Sequence, residues 1–232
     1  MKNPIIIPCL NSHEAVRRQI LWFDSWMKPF SNKWNLVIVD DGSKPAISID
    51  PPTNFIAAII HIPPHQTKWT QTRARNTGAR SCPGSEFIFF ADVDHIITPE
   101  ALAIADSFTG DMLRFPRKTG ALDENGKLLT NEEDLLQFGA APSELGPPHK
   151  DGRPNATVCL VRRTIQKAIG GFNETFCGQY GIEGTEYKKR YERNALDGKC
   201  KPPELSPVGI YVFPNPKANH QDLFHSLSRK NK

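Results

Sequence analysis

The sequence predicts an open α/β sheet, and three observations predict it. Ile5-Ile6-Ile7, Leu36-Val37-Ile38-Val39 and Phe87-Ile88-Phe89-Phe90 are short, unbroken runs of β-forming apolar residues, the pattern of strands covered on both faces. Each run ends in polar residues, and helical patterns lie between the runs, as they do when helices cross over a parallel sheet. With 16 Gly and 20 Pro in 232 residues and no repeat, the chain is far from the composition of linkers or collagen. It is long enough to bury a core without disulfides.

Each element follows in order. After the first strand, Val16, Ile20, Phe23 and Met27 recur at spacings of four, three and four, one face of a helix. Asn11-Ser12-His13-Glu14 precedes them and offers an N-cap with a glutamate three residues on. With Leu36 to Val39 this makes a β-α-β unit. A strand over 56–62, a helix over 71–80 and a helix opening at Thr98-Pro99-Glu100 continue the alternation. Residues 139–154 hold seven Gly or Pro in sixteen and are expected to form an irregular lid-like loop. A strand over 156–161, a turn at Gly170-Gly171-Phe172, a helix over 184–195 and a strand near 210–213 follow. Residues 217–232 carry four Lys or Arg and are expected to be a basic tail frayed at its end.

Composition excludes several classes. Hydrophobic residues are 38% and charged residues 23%, with both signs mixed, which is not a disordered composition. A net charge of +4 neither demands nor excludes a nucleic-acid partner. Five widely spaced cysteines with no C-x-x-C pair suggest neither a disulfide framework nor a zinc knuckle. The apolar stretch from Pro4 to Leu10 is far short of the ~20 residues of a membrane span. The expectation is a cytoplasmic protein with no membrane segment.

Two acidic clusters end buried strands. Asp92-Val93-Asp94 follows Phe87 to Ala91; in extended chain residues i and i+2 point the same way, so two carboxylates would converge at the carboxyl edge of the sheet, where such sheets bind ligands. Paired hard oxygens suit Mg2+ or Mn2+ bridging phosphates. Asp40-Asp41-Gly42-Ser43 follows Leu36 to Val39, and a carboxylate there can accept from the N–H of a pyrimidine base. Asp-Gly and Gly-Ser are also ordinary turn residues.

The chain here resembles the nucleotide-sugar-dependent glycosyltransferases of family 2, which have the GT-A fold. The resemblance is carried by Ile5-Ile6-Ile7-Pro8-Cys9-Leu10-Asn11, Val37-Ile38-Val39-Asp40-Asp41-Gly42-Ser43, Ala74-Arg75-Asn76-Thr77-Gly78-Ala79, Phe89-Phe90-Ala91-Asp92-Val93-Asp94 and Gly170-Gly171-Phe172-Asn173-Glu174. It runs from residue 4 to about residue 195. It implies a GT-A (Rossmann-like), mostly parallel sheet flanked by helices in one domain over 1–216, with a nucleotide-sugar-binding half (1–110) and an acceptor half (111–216). It implies a donor site at Pro8, Leu10, Asn11, Asp40, Arg75, Asn76, Asp92 and Val93, with Asp40 on the base. Asp92 and Asp94 would hold Mn2+ or Mg2+, joined by a late histidine, His220 or His225. Leu10 stands where relatives often carry an aromatic residue.

Gln179-Tyr180-Gly181-Ile182-Glu183-Gly184-Thr185-Glu186 occupies the place of the family's W-G-G-E-D segment. The Asp that commonly acts as base is here Gly184, so Glu183 is the nearest carboxylate and Glu186 the next. Glu186 and Arg190 also fit a solvated Glu-Arg helix face.

The implied reaction is transfer of a hexosyl or pentosyl group from a nucleoside-diphosphate sugar, UDP-linked by expectation, to an acceptor hydroxyl. The acceptor is a saccharide, a protein, a small molecule or a hydroxylated base in DNA; for DNA, clusters at Arg73, Arg75, Arg80, at Arg114, Arg117, Lys118 and at Lys188, Lys189, Arg190, Arg193 could track phosphates if they share a face. Another class is a non-catalytic nucleotide-sugar-binding module. A haloacid-dehalogenase phosphatase also opens with D-x-D, but near its N-terminus and without the His95-Ile96 that follows here.

Overall fold

The computed structural model of the chain describes residues 1–67, 70–140, 142, 145, 152–179 and 181–214. Tyr180, His220, His225, most of 141–151 and the tail over 217–232 lie outside the described residues. In chain order the elements are β1 (Asn3–Cys9), α1 (His13–Trp26), β2 (Trp34–Asp40), β3 (Ala57–His61), α2 (Gln71–Ser81), β4 (Phe87–Phe90), β5 (His95–Ile96), α3 (Pro99–Ser107), β6 (Met112–Arg114), β7 (Arg117–Thr119), β8 (Ala121–Leu122), β9 (Leu128–Leu129), α4 (Glu132–Phe138), β10 (Cys159–Arg162), α5 (Arg163–Ala168), α6 (Ile182–Leu196), β11 (Glu204–Leu205) and β12 (Ile210–Val212).

The central sheet has seven strands in the order β11-β6-β10-β4-β1-β2-β3. The run β4-β1-β2-β3 is parallel, while β10 runs antiparallel to both β4 and β6. Successive side chains of a strand face opposite ways, and the apolar runs divide accordingly. Ile5, Ile7, Leu36, Ile38, Phe87 and Phe89 pack with Val16, Ile20 and Phe23 of α1 and with Leu102 of α3. Ile6, Val37, Val39, Ile88 and Phe90 pack on the other face with Ala74 of α2 and with Tyr187 and Tyr191 of α6. Helices on both faces are why these strands lack polar alternation. The second half of the chain adds β6, β10 and β11 to the same sheet, so the two halves share a core. A three-stranded sheet, β5-β12-β7, and the hairpin β8-β9 lie beside it.

The opening of α1 differs from expectation. Ser12 is the N-cap, and its hydroxyl donates to Leu10 O (3.0 Å) rather than capping the helix. Asn11 sits at φ +50 and accepts from Lys44 N through Oδ1 (2.8 Å). Glu14 turns to Arg17 (2.7 Å) and Arg18 (2.8 Å) instead of reaching back. The Asn11 side chain thus ties two loops together, a contact across 33 residues that local spacing cannot reveal.

Candidate active site

The parallel strands deliver their carboxyl ends to one edge. There, Asn11 N donates to Ser43 Oγ (2.8 Å) and Asp41 N donates to Cys9 O (2.9 Å), joining the loops after β1 and β2. Gly42 has φ +87, and a Cβ on it would lie 2.6 Å from the Cα of Pro64, so only glycine fits this turn.

Asp40 and Asp41 differ in their surroundings. Asp40 is buried; its Oδ1 accepts from Ser43 N (2.9 Å), and its Oδ2 accepts from Ile47 N (3.0 Å) and lies 3.0 Å from His61 Nδ1. Burial opposes its charge, yet the hydrogen bonds from Ser43, Ile47 and His61 prevail and hold its carboxyl below the ordinary range. The residue expected to read a base is therefore occupied in holding the loop over 41–47. Asp41 accepts from Thr70 Oγ1 through Oδ2, while its buried Oδ1 has no hydrogen-bond partner among the described residues. Burial pushes the Asp41 carboxyl above its usual range.

The D-x-D pair converges, but by a turn rather than an extended strand. β4 ends at Phe90, and His95 N donates to Asp92 O (2.9 Å) across residues 92–95. The turn folds His95 back beside Asp92: His95 Nδ1 lies 2.7 Å from Asp94 Oδ1 and 3.9 Å from Asp92 Oδ2. One donor atom from each of Asp92, Asp94 and His95 lies within 4.8 Å of the others. Protein surroundings penalise the Asp94 charge, but His95 outweighs them and holds that carboxyl below its usual range. Two carboxylates and an imidazole suit a divalent cation, so the donor chemistry fits the expected metal.

Arg75 is placed differently from expectation. It is 0% exposed, lies beneath the site, and donates through one Nη2 to Asp92 Oδ1 and to Thr157 Oγ1 (3.1 Å). Its guanidinium stands 5.2 Å from the centre of the Phe172 ring. Such a residue orients Asp92 rather than touching a donor. Asn76 is held in the same way: Nδ2 donates to Phe172 O and Glu174 Oε1 (2.8 Å each), and Oδ1 accepts from Phe172 N (2.9 Å). It fastens α2 to the turn over 170–174. Pro8 is buried within β1, Leu10 and Val93 are half-buried, and the Val93 carbonyl accepts from Gln19 Nε2 (3.2 Å).

Glu183 and Glu186 part company on α6. Glu186 grips Arg190 at 2.7 and 2.8 Å, and Arg190 donates to the carbonyls of Ile169 and Gly171. That pair clamps the turn before Phe172. Glu183 is buried in the first turn of α6. Next to it, a Cβ on Gly184 would meet Thr157 Cγ2 at 2.7 Å, so no side chain larger than hydrogen fits there without movement. Thr157 in turn contacts Arg75, and Asn155 Nδ2 lies 3.5 Å from Asp92 Oδ2. These contacts connect the start of α6 to the carboxylate cluster.

Several members of the basic clusters are already engaged within the protein. Arg75 is buried, Arg190 is paired with Glu186, Arg80 with Glu174 at 3.3 Å, and Lys188 with Glu192 at 3.5 Å. Arg114 donates to Pro154 O and Arg117 to Arg153 O.

Residues 4–113, just under half of the chain, match the family model described as glycosyltransferase like family 2. This stretch is similar to glycosyltransferase-like family 2. It contains four of the five motifs that carried the resemblance, up to and including Asp92 and Asp94. No curated protein matches the chain. Among solved structures, S. aureus TarS aligns with a TM-score of 0.57 at 15% identity, over 96% of this chain and 38% of TarS. TarS residues 1–349 in complex with UDP-GlcNAc align with a TM-score of 0.57 at 15% identity, over 94% of this chain and 60% of that one. The mannosyltransferase PcManGT from Pyrobaculum calidifontis, in complex with GDP-Man and Mn2+, aligns with a TM-score of 0.50 at 14% identity, over 91% and 56%. The chain therefore spans less than two thirds of the length of these chains, and it shares their GT-A fold. Among the described residues, no helix is long and apolar enough to cross a membrane.

Proposed function

We propose that the chain is a metal-dependent glycosyltransferase moving a sugar from a nucleoside-diphosphate donor to an acceptor hydroxyl. The observation that carries this reading is the convergence of Asp92 and Asp94 at the carboxyl edge of the parallel strands, where Asp40 and Asp41 also end a strand, two positions away in the sheet. Donor diphosphate brings at least two negative charges to these carboxylates, and only a cation makes that arrangement favourable. A divalent ion held by Asp92 and Asp94 would neutralise the departing diphosphate. The likeness to proteins solved with UDP-GlcNAc and with GDP-Man and Mn2+ supports a nucleotide-sugar donor.

The chain's own residues supply the rest. Arg75 holds Asp92 Oδ1, and Oδ2 has only the long contact to Asn155 Nδ2 (3.5 Å). Both oxygens of Asp40 are engaged within the loop, whereas Asp41 keeps a buried acceptor oxygen, so Asp41 is the group a base N–H would meet, with uridine the base proposed. Glu183 is the proposed general base, removing the proton of the acceptor hydroxyl as the new bond forms; Glu186 is committed to Arg190 and Gly184 has no side chain.

Nucleoside-diphosphate release, measured with Mn2+ across UDP-, GDP- and dTDP-sugars against saccharide and hydroxylated-DNA acceptors, tests the reading. Asp94→Ala is expected to abolish turnover with the fold intact. Full activity of that variant, or no release from any donor, overturns the proposal.

A further inference from the structure

We propose that His95 is the third protein ligand of the metal centre, through Nδ1, and that this imidazole makes the centre favour Mn2+ over Mg2+. The proposal rests on the metal-dependent reading above and adds to it a ligand and a selectivity. The imidazole is 2% exposed, so it is held by the fold rather than swinging in solvent. Its backbone is fixed twice: Gln19 Nε2 donates to His95 O (2.9 Å), and β5 pairs with β12 opposite Val212. Among the described residues Nε2 has no hydrogen-bond partner, so the ring's polar contacts all lie on the side of the two carboxylates.

The neighbouring groups leave the right oxygens available. Arg75 engages Asp92 Oδ1, whereas Oδ2, which lies 3.9 Å from His95 Nδ1, carries only a long contact from Asn155 Nδ2 at 3.5 Å. Asp94 presents Oδ1 to the same nitrogen at 2.7 Å. Donors bound about 2.1 Å from one octahedral ion lie about 3 Å apart, so these three atoms need only small movements to share one. The charges also balance. As a ligand through Nδ1, His95 is the neutral tautomer, its proton moved from the side facing Asp94 to Nε2; Arg75 then offsets one carboxylate, and a divalent ion leaves one positive charge to meet the diphosphate. Mg2+ prefers an all-oxygen shell with several waters, while imidazole suits the transition metals.

The experiment is Mn2+ binding to the full chain, followed by pulsed electron paramagnetic resonance, which detects nitrogen bonded to Mn2+ without any turnover. Wild type is expected to show a nitrogen coupling that changes when histidine is labelled with 15N. His95→Asn and His95→Gln, checked for folding by circular dichroism, should lose that coupling. They should also bind Mn2+ about tenfold or more weakly, with Mg2+ affinity changed less. Bound Mn2+ with no nitrogen coupling overturns the assignment while leaving the metal-dependent reading in place. So does a coupling that survives in folded His95→Asn, because another histidine is then the ligand. Absence of Mn2+ binding to wild type overturns both. Where a variant at this buried position fails to fold, His220→Asn and His225→Asn serve instead: the coupling should persist in both, and its loss in either overturns the assignment to His95.

Discussion

Asp40 shows how a single carboxylate can serve the fold at a ligand edge. It accepts from Ser43 N, Ile47 N and His61, and Asp40→Asn turns an acceptor toward donors it can no longer fully satisfy. The expected cost is about 1–3 kcal/mol of stability at neutral pH. Because the folded carboxyl lies below its ordinary 3.8, this stabilisation is complete above the unfolded value and is lost as pH falls through the folded one. Urea titrations at several pH values should therefore find the gap between wild type and variant closing below about pH 4. A gap that does not depend on pH would remove the charge from the explanation. The two glutamates of α6 separate similarly. Glu183→Gln should lower kcat by ~10²–10⁴-fold with donor binding unchanged. Glu186→Gln should lose about 1 kcal/mol of stability through Arg190 and keep most of its turnover. Steady-state kinetics and thermal melts on both variants, with the product anomer assigned by NMR, check this; equal loss of kcat in both would return Glu186 to the chemistry.

At the scale of elements, α2 is held against the sheet by a missing side chain. A Cβ at Gly78 would lie 2.6 Å from Ile6 Cγ2 and 3.0 Å from Val39 Cγ2, both on buried β-branched residues whose χ1 is stiff. Gly78→Ala gains roughly 1 kcal/mol of helix propensity but forces α2 away from β1 and β2, and overpacking of this kind costs ~1–3 kcal/mol. The net change should be destabilising, read as a lower urea midpoint at constant slope. A stabilised variant would mean that α2 can lift off freely. The same lift would carry Arg75 away from Asp92, which links the packing of this helix to the geometry of the carboxylate pair.

For the whole molecule, both halves of the chain meet at the carboxylate cluster: Asp92 follows β4, Asn155 and Thr157 come from the approach to β10, and the start of α6 packs on Thr157 at Gly184. Ligand binding there should stabilise the entire chain. UDP with Mn2+ at ~100 times Kd is expected to add about 2.7 kcal/mol, which for a chain of this size is a rise in Tm of roughly 5–10 °C. With EDTA in place of Mn2+ the rise should largely vanish. An equal rise in both would argue that the nucleotide binds without metal.

The order of strands and helices was legible from residue types alone, since Ile5 to Ile7, Leu36 to Val39 and Phe87 to Phe90 can be apolar throughout only if both faces are covered. The D-x-D pair and the acids after β2 were legible as well, because each directly follows such a run. What the residues contact was not. Asn11 reaches Lys44, Asn76 reaches Phe172, Arg75 reaches Thr157, and Glu186 serves Arg190 and the turn at Gly171. His95 joins the carboxylates only because the chain turns at 92–95 instead of running on as a strand, so the alternation that places Asp94 beside Asp92 would have sent His95 to the opposite face. Periodicity reports which face of an element is buried, a local property. Which polar atoms meet across the sheet edge depends on segments up to about a hundred residues apart being folded against one another, and the tertiary structure alone decides that.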